Sequence, residues 1–317
     1  MTRCSAPGKI ILFGEHAVVF GEPALALAID LRISSSVTKS DSYRVNGHPM
    51  RKKHHAYVSA SLDEAWNGPP VNVDTESRIP SGSGLGSSAA VTVSCVGAML
   101  AEKARFDPES VAKKAYAVEN KVQGRASPID TSTSTHGQGI LVSPDKSDGF
   151  LWQVERGDTK WNVHHCEVPK LEFVVGYTGI HAATGPLVAK VKKLVESDTD
   201  AAKRVRRIGE IVAEGVAALR KNDKERLGAL MDENHAALNS LGVGHPALEK
   251  LVDACRGISY GAKLTGAGGG GSMIVLTDDV DKVAKAIAKA GGDPIVAEVG
   301  CEGVRIESAG VSSRWNE

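Results

Sequence analysis

The stretch Pro80-Ser81-Gly82-Ser83-Gly84-Leu85-Gly86-Ser87-Ser88-Ala89-Ala90 joins an alternating segment, 71–75, to an apolar run, 89–104. The first has the period of a strand and the second reads as a helix. Glycines at 82, 84 and 86 let the connecting backbone fold tightly enough to aim several N–H groups at one point. The helix N-terminus just beyond adds its partial positive charge, and the combination makes an anion site. Ser87 and Ser88 add hydroxyls for a phosphate oxygen or a metal ion. The plainer reading is a flexible loop without a ligand, and one glycine motif alone does not decide between the two.

Several motifs nearly fit this stretch. A P-loop requires Gly-Lys followed by Ser or Thr, and no lysine is present. A dinucleotide fingerprint requires a third glycine where Ser87 stands, and Glu102, twenty residues past Gly82, falls within a helix and not at the end of a second strand. A nucleophile elbow requires Gly-x-Ser-x-Gly, whereas Gly86-Ser87-Ser88-Ala89-Ala90 ends in alanine.

A second cluster, Lys263-Leu264-Thr265-Gly266-Ala267-Gly268-Gly269-Gly270-Gly271-Ser272, lies between two apolar strands. Each glycine costs conformational entropy, so this run is a net loss unless something needs the bare backbone. A long hairpin loop remains the alternative. Two such loops, one in each half of the chain, fit a polyphosphate held at a domain interface.

Charged side chains in apolar surroundings add to this. Between Asp107 and Gln123, Val111, Ala112, Ala115, Val118 and Val122 form a stripe of helical period, and Glu119 falls inside its arc. A carboxylate facing a core needs a cation or donors. Glu119 is therefore a candidate Mg²⁺ ligand, or else a residue at the stripe's edge reaching solvent. Asp130 follows Pro128 in a polar stretch between helix and strand, as a helix cap or a general base. Lys9 heads the apolar run 10–13, as an edge lysine or as a cation beside a carboxylate. His54-His55 and His164-His165-Cys166 lack zinc spacing and read as surface residues. Arg51-Lys52-Lys53 and the basic run 203–207 read as solvated faces.

The whole chain has 317 residues, 38 Lys plus Arg against 38 Asp plus Glu, and 42% hydrophobic side chains. At about 150 residues per domain this predicts two domains. Balanced charge excludes a generic binder of nucleic acid or anionic lipid, so no nucleic-acid or membrane partner is expected. The five cysteines are scattered and never spaced as C-x-x-C, which predicts free thiols in a reducing compartment. No signal peptide is expected, and the uncharged window 79–101 is interrupted by its glycines and serines. The reading is a soluble cytoplasmic protein.

Strands are predicted at 9–13, 24–29, 33–38, 71–75 and 139–143, with helices at 89–104 and 108–122, the latter opened by Asp107 and Pro108. A polar, turn-like stretch, 156–169, separates these from a second half with strands at 171–177, 262–265, 272–276, 294–298 and 303–307. Its helices are predicted at 187–196, 203–221, 225–238, 246–256 and 280–290. The expected class is α+β, helices on one face of mainly antiparallel sheet, divided into 1–168 and 169–317. Residues 311–317 read as a frayed tail.

Three segments in order, 6–25, 80–90 and 263–272, resemble the motifs of the GHMP small-molecule kinases. The first, Ala6-Pro7-Gly8-Lys9-Ile10-Ile11-Leu12-Phe13-Gly14-Glu15-His16-Ala17-Val18-Val19-Phe20-Gly21-Glu22-Pro23-Ala24-Leu25, is most similar to the mevalonate kinase branch. Phosphomevalonate kinases tend to carry Tyr where His16 stands. Phe13 departs from animal members, which have His there.

The resemblance implies a ribosomal protein S5 domain 2-like N-terminal domain that binds ATP, and a ferredoxin-like C-terminal domain. By resemblance, Asp130 is the catalytic base and Lys9 its cationic partner. Ser88 and Glu119 would hold Mg²⁺. Pro80, Ser81, Gly82, Ser83, Gly84, Leu85, Gly86, Ser87, Ser88 and Gly268 would bind the nucleotide, with 82–88 on its phosphates. Glu15, His16 and Thr184 match positions near mevalonate. The implied reaction moves the ATP γ-phosphoryl group to the C5 hydroxyl of (R)-mevalonate. Phosphomevalonate kinase and a non-catalytic nucleotide sensor are the alternatives, and a homodimer is left open.

Overall fold

In the computed structural model, which describes residues 2–124, 126–157, 159–181 and 184–307, the helices pack on two sheets. The first part of the chain forms β1 (Thr2–Phe13), a 3-10 turn (Ala17–Phe20), β2 (Ala24–Lys39), β3 (Arg44–Val45), β4 (His48–Pro49) and α1 (Ala56–Ala65). It continues with β5 (Val71–Ser77), α2 (Ser87–Glu102), α3 (Pro108–Gln123), α4 (Ile129–His136), β6 (Gly139–Ser143), β7 (Phe150–Arg156) and β8 (Thr159–Cys166). After these come β9 (Glu172–Tyr177), α5 (Thr184–Ser197), α6 (Thr199–Arg220), α7 (Lys224–Ser240) and α8 (Pro246–Cys255). The remainder is β10 (Gly261–Thr265), β11 (Ser272–Leu276), α9 (Val280–Lys289), β12 (Asp293–Glu298) and β13 (Arg305–Glu307). The expected tail, 311–317, lies outside the described residues.

One sheet runs β4-β3-β5-β2-β6-β8-β7, with β1 pairing both β2 and β13; the other runs β10-β11-β9-β12. Every named pairing is antiparallel except β3 with β5, so the chain is α+β as expected. The division expected after 168 falls in the connection between β8 and β9, and β13 returns to the first sheet beside β1.

β1 is buried along nearly its whole length because α2 covers it. α2 in turn is apolar on most of its circumference, as a helix packed among others must be. α3 begins as its sequence predicts, with Asp107 accepting the Ser110 N–H and Pro108 in the first turn. One core spans the two sheets, bringing Phe13, Leu25 and Leu27 together with Phe173, Ile211 and Leu276.

Three expectations need correction. The stretch expected to be turn-like contains β8, whose Trp161 and Val163 are buried and whose polar residues find partners. Asn162 donates to the Pro144 carbonyl at 2.7 Å, and His164 Nε2 accepts the Ser147 N–H at 3.0 Å. His164, expected at the surface, is consequently buried. The basic run 203–207 is also less uniform than expected. Arg207 is part-buried and forks onto Glu233 while reaching Glu210 and Glu214.

All five cysteines are free. Among the described residues, no helix is long and apolar enough to cross a membrane.

Candidate active site

The loop before α2 needs its glycines. Gly82, Gly84 and Gly86 have φ of 71°, 79° and 81°, in the left-handed region that side chains disfavour. At Gly86, which precedes the first residue of α2, a Cβ would also lie 2.8 Å from Lys9 Cγ. Without a side chain, Gly86 cannot cap α2, so the first turn keeps its N–H donors for a ligand. The Leu85 carbonyl anchors the loop on β1 by accepting the Lys9 N–H at 2.9 Å.

The second glycine cluster meets the first. Ser272 Oγ donates to the Ser83 carbonyl at 2.7 Å. Thr265 Oγ1 donates to the Ile11 carbonyl and accepts the Ile11 N–H, both at 3.0 Å, and so ties β10 to β1. Gly268, at φ 77°, presses on the loop after α7, where a Cβ would stand 2.1 Å from the Val243 carbonyl.

A third segment joins them, one that sequence reasoning missed. Thr178 donates its N–H and its hydroxyl to the Gly271 carbonyl at 2.9 and 2.8 Å, while Gly271 N–H donates to Ile180. The His181 ring lies against Gly82, with Cδ2 2.3 Å from where a Cβ would sit. Nothing in the local sequence marks 178–181 as a wall of the cleft, because its partners, Gly271 on the neighbouring strand's loop and Gly82 before α2, lie about 90 to 100 residues away along the chain.

Beside these loops stand the charged groups. Lys9 is buried on β1, its Nζ 3.3 Å from Asp130 Oδ1 and donating to the Gly84 carbonyl at 3.2 Å. Asp130 sits in the first turn of α4, where the helix dipole favours a negative charge, and its side chain is 28% exposed. Glu119, on α3, is 2% exposed. Its Oε1 accepts from Gln123 at 3.0 Å, and its Oε2 is buried without a hydrogen-bond partner. Burial first, then the neighbouring Asp130 charge, push the Glu119 carboxyl up to about 8, with Lys9 opposing. Ser88, the second residue of α2, lies near Tyr57, another group that the sequence reading passed over; Tyr57 Oη accepts from Gln123 at 3.1 Å.

A buried carboxylate oxygen without a partner, close to a second carboxylate, fits a cation. Among the described residues no group of three or more His, Cys, Asp or Glu side chains could hold a metal unaided.

Glu15 and His16 follow Gly14, whose φ of 98° turns the chain sharply against Ala24. Glu15 is buried, with its carboxylate on Lys263 and Asn234. His16 is buried at φ 61°; its Nε2 donates to the Ala267 carbonyl at 2.9 Å, and its Nδ1 has no partner. Burial lowers the His16 pKa, favouring the neutral ring. Thr184 is exposed at the start of α5. The structure thus gathers Lys9, Glu119, Asp130, Ser88 and both glycine loops, places Glu15 and His16 between β1 and the second loop, and does not bring Thr184 into contact with them.

Residues 53–138 match the GHMP kinases N terminal domain, and residues 216–293 match GHMP kinases C terminal. The mevalonate kinase of Thermococcus sibiricus is 38% identical, over 96% of this chain and 97% of that protein. The crystal structure of the Methanococcus jannaschii mevalonate kinase aligns with a TM-score of 0.77 at 25% identity, covering 94% of this chain and 98% of that one. The L. major mevalonate kinase in complex with R-mevalonate aligns with a TM-score of 0.77 at 25% identity, covering 94% and 96%. Likeness in sequence and in fold runs together along almost the whole length, and on that ground the chain belongs to the GHMP kinases, within their mevalonate kinase branch.

Proposed function

We propose that this chain transfers the γ-phosphoryl group of ATP to the C5 hydroxyl of (R)-mevalonate. The observation that carries the reading is the Lys9–Asp130 pair, 3.3 Å apart beside the glycine loop at the start of α2. An acid and an amine in contact at the mouth of an anion cradle suit an alcohol acceptor and a phosphoryl donor.

Residues 82–88 would receive the phosphates through backbone N–H groups, with Gly268 closing the opposite side. Ser88 and Glu119 would hold Mg²⁺, which when bound neutralises phosphate charge and helps orient the nucleotide. Asp130 would orient the acceptor hydroxyl and accept its proton. An aspartate with an ordinary pKa of about 3.9 is a weak base toward an alcohol. A loose phosphoryl-transfer transition state tolerates this, because the proton leaves late and most of the rate comes from position and charge. Lys9 would hold Asp130 in place and balance negative charge growing on the transferred group. His16 and Thr184 would face the acceptor. The free thiols suit a reducing compartment, so we place the reaction in the cytoplasm.

ADP release measured with mevalonate and with 5-phosphomevalonate tests the reading. Turnover is expected with mevalonate; turnover with the phosphorylated acceptor alone, or with neither, would overturn it.

A further inference from the structure

We propose that Lys263 and Asn234 are positioning residues. With Glu15 they form a buried polar bolt between the two sheets, which sets His16 and the second glycine loop and so shapes the acceptor side of the cleft. The inference rests on the functional reading above.

Lys263 lies mid-strand in β10, all five of whose residues are buried, and is itself 0% exposed. An ammonium there must be compensated. Glu15, 1% exposed just beyond β1, forms an ion pair with it, and the Leu264 carbonyl accepts from it at 2.8 Å. Asn234 of α7 donates to the other Glu15 oxygen at 3.2 Å. Both carboxylate oxygens are therefore engaged by protein, and Glu15 acts on the acceptor side through its neighbours. One of those neighbours is His16, which bonds Ala267 in the loop that follows Lys263. Two adjacent residues on one side thus grip both the start and the middle of the second glycine segment.

Stability alone does not account for such a pair. Taking two charges out of water offsets much of their attraction, and apolar side chains of similar volume often serve as well. A charged pair does specify one relative placement of the strands that carry it. Burial pulls the Lys263 pKa below its ordinary value, and the Glu15 charge opposes that shift.

The test compares wild type with Lys263→Met, Glu15→Gln, the double variant and Asn234→Ala by thermal melting and steady-state kinetics. Each charge removal alone leaves the other charge buried and lowers the melting midpoint. The double variant removes both charges and recovers much of it. If the bolt positions the acceptor pocket, the double variant still shows KM for mevalonate raised about tenfold or more, while KM for ATP, reached only through Gly268 further along the same segment, rises by clearly less. Asn234→Ala, which leaves the charges paired, is expected to raise KM for mevalonate about threefold and keeps the question decidable should the charge variants fail to fold.

A KM for mevalonate in the double variant that equals the wild-type value or rises no more than KM for ATP, or an unchanged KM for mevalonate in Asn234→Ala when the others do not fold, would overturn the inference alone. Absence of ADP formation by wild type with mevalonate would overturn the functional reading and the inference with it.

Discussion

Lys9 and Asp130 come from strand and helix, 121 residues apart, and meet at 3.3 Å beneath a glycine loop whose Gly84 carbonyl also accepts from Lys9. Asp130→Asn keeps the side chain's shape while removing its charge and its basicity. The expected outcome is a fall in kcat of about 10²–10⁴, with ATP affinity by calorimetry changed only a few-fold. Near-normal kcat in a folded variant would remove Asp130 from proton transfer. Gly86→Ala tests the loop from the other side. It places a side chain at φ 81° and drives a Cβ to 2.8 Å from Lys9 Cγ, so the lysine stem must move. A non-glycine residue in this region costs about 1–2 kcal/mol, a modest drop in stability, whereas kcat should fall further because the amine next to Asp130 is displaced. Equal losses in the two would mean that Gly86 serves folding alone. Lys9 and Glu119 were legible because each carries charge inside an apolar pattern. The engagement of Glu15 was not, since its partner Lys263 lies 248 residues away and neither local pattern contains the other.

At the scale of elements, the helices and glycine-flanked strands were the legible part: α2 and α3 through apolar period and the Asp107 cap, β10 and β11 through their buried runs. β8 was hidden because Asn162 and His164 make its core-facing pattern polar, a pattern that works only with distant partners. α4 was hidden for a related reason. Its Thr131, Ser132, Thr133, Ser134 and Thr135 are weak helix formers, yet all are buried, and Thr133 turns its hydroxyl back onto the Ile129 carbonyl at 2.7 Å. In its last turn stands His136, whose pKa is lowered to about 4 by burial first and then by His165, although a helix C-terminus by itself favours a cation. The unfolded chain, with a histidine near 6.5, therefore binds more protons than the folded one between those values. This contribution to stability is complete above pH 6.5 and falls toward pH 4 by about 1.4 kcal/mol per unit. Glu119, raised to about 8, has the opposite slope between 4.5 and 8. The difference between wild type and His136→Gln isolates the histidine: the urea midpoint at pH 7.5 minus that at pH 5 should be more positive in wild type than in the variant. Equal divergence would mean that His136 titrates near its ordinary value in the folded protein.

Across the whole molecule, the described chain ends where it began, with β13 beside β1 in a register of Arg3 with Glu307 and Ser5 with Arg305. No sequence signal near 305–307 announces that pairing, because a three-residue strand gains its meaning only from the edge it joins. The segment before β13 passes over α4: Val304 N–H donates to the Thr135 carbonyl at 3.0 Å, and Gln138 N–H donates to the Cys301 carbonyl at 2.8 Å. Arg32 holds this return in place. It donates to Ser5 Oγ and the Ser5 carbonyl at 2.8 and 2.9 Å, and to the Glu302 and Gly303 carbonyls at 2.8 and 2.7 Å. Arg305, on the same segment, pairs with Glu302 and Glu307 at a side-chain exposure of 44%, where water screens the charges. The two arginines should therefore behave differently on truncation. Arg32→Met deprives three carbonyls and a hydroxyl of a charged donor, and is expected to cost about 2–4 kcal/mol in urea unfolding. Arg305→Met is expected to cost no more than about 1 kcal/mol. Because the segment held by Arg32 rests on α4, Arg32→Met should also lower kcat a few-fold well below its melting midpoint, while Arg305→Met leaves kcat unchanged. If the two variants melt alike, the return of the chain is held by β13 pairing alone; if Arg32→Met melts early yet turns over normally, α4 keeps Asp130 in place without it.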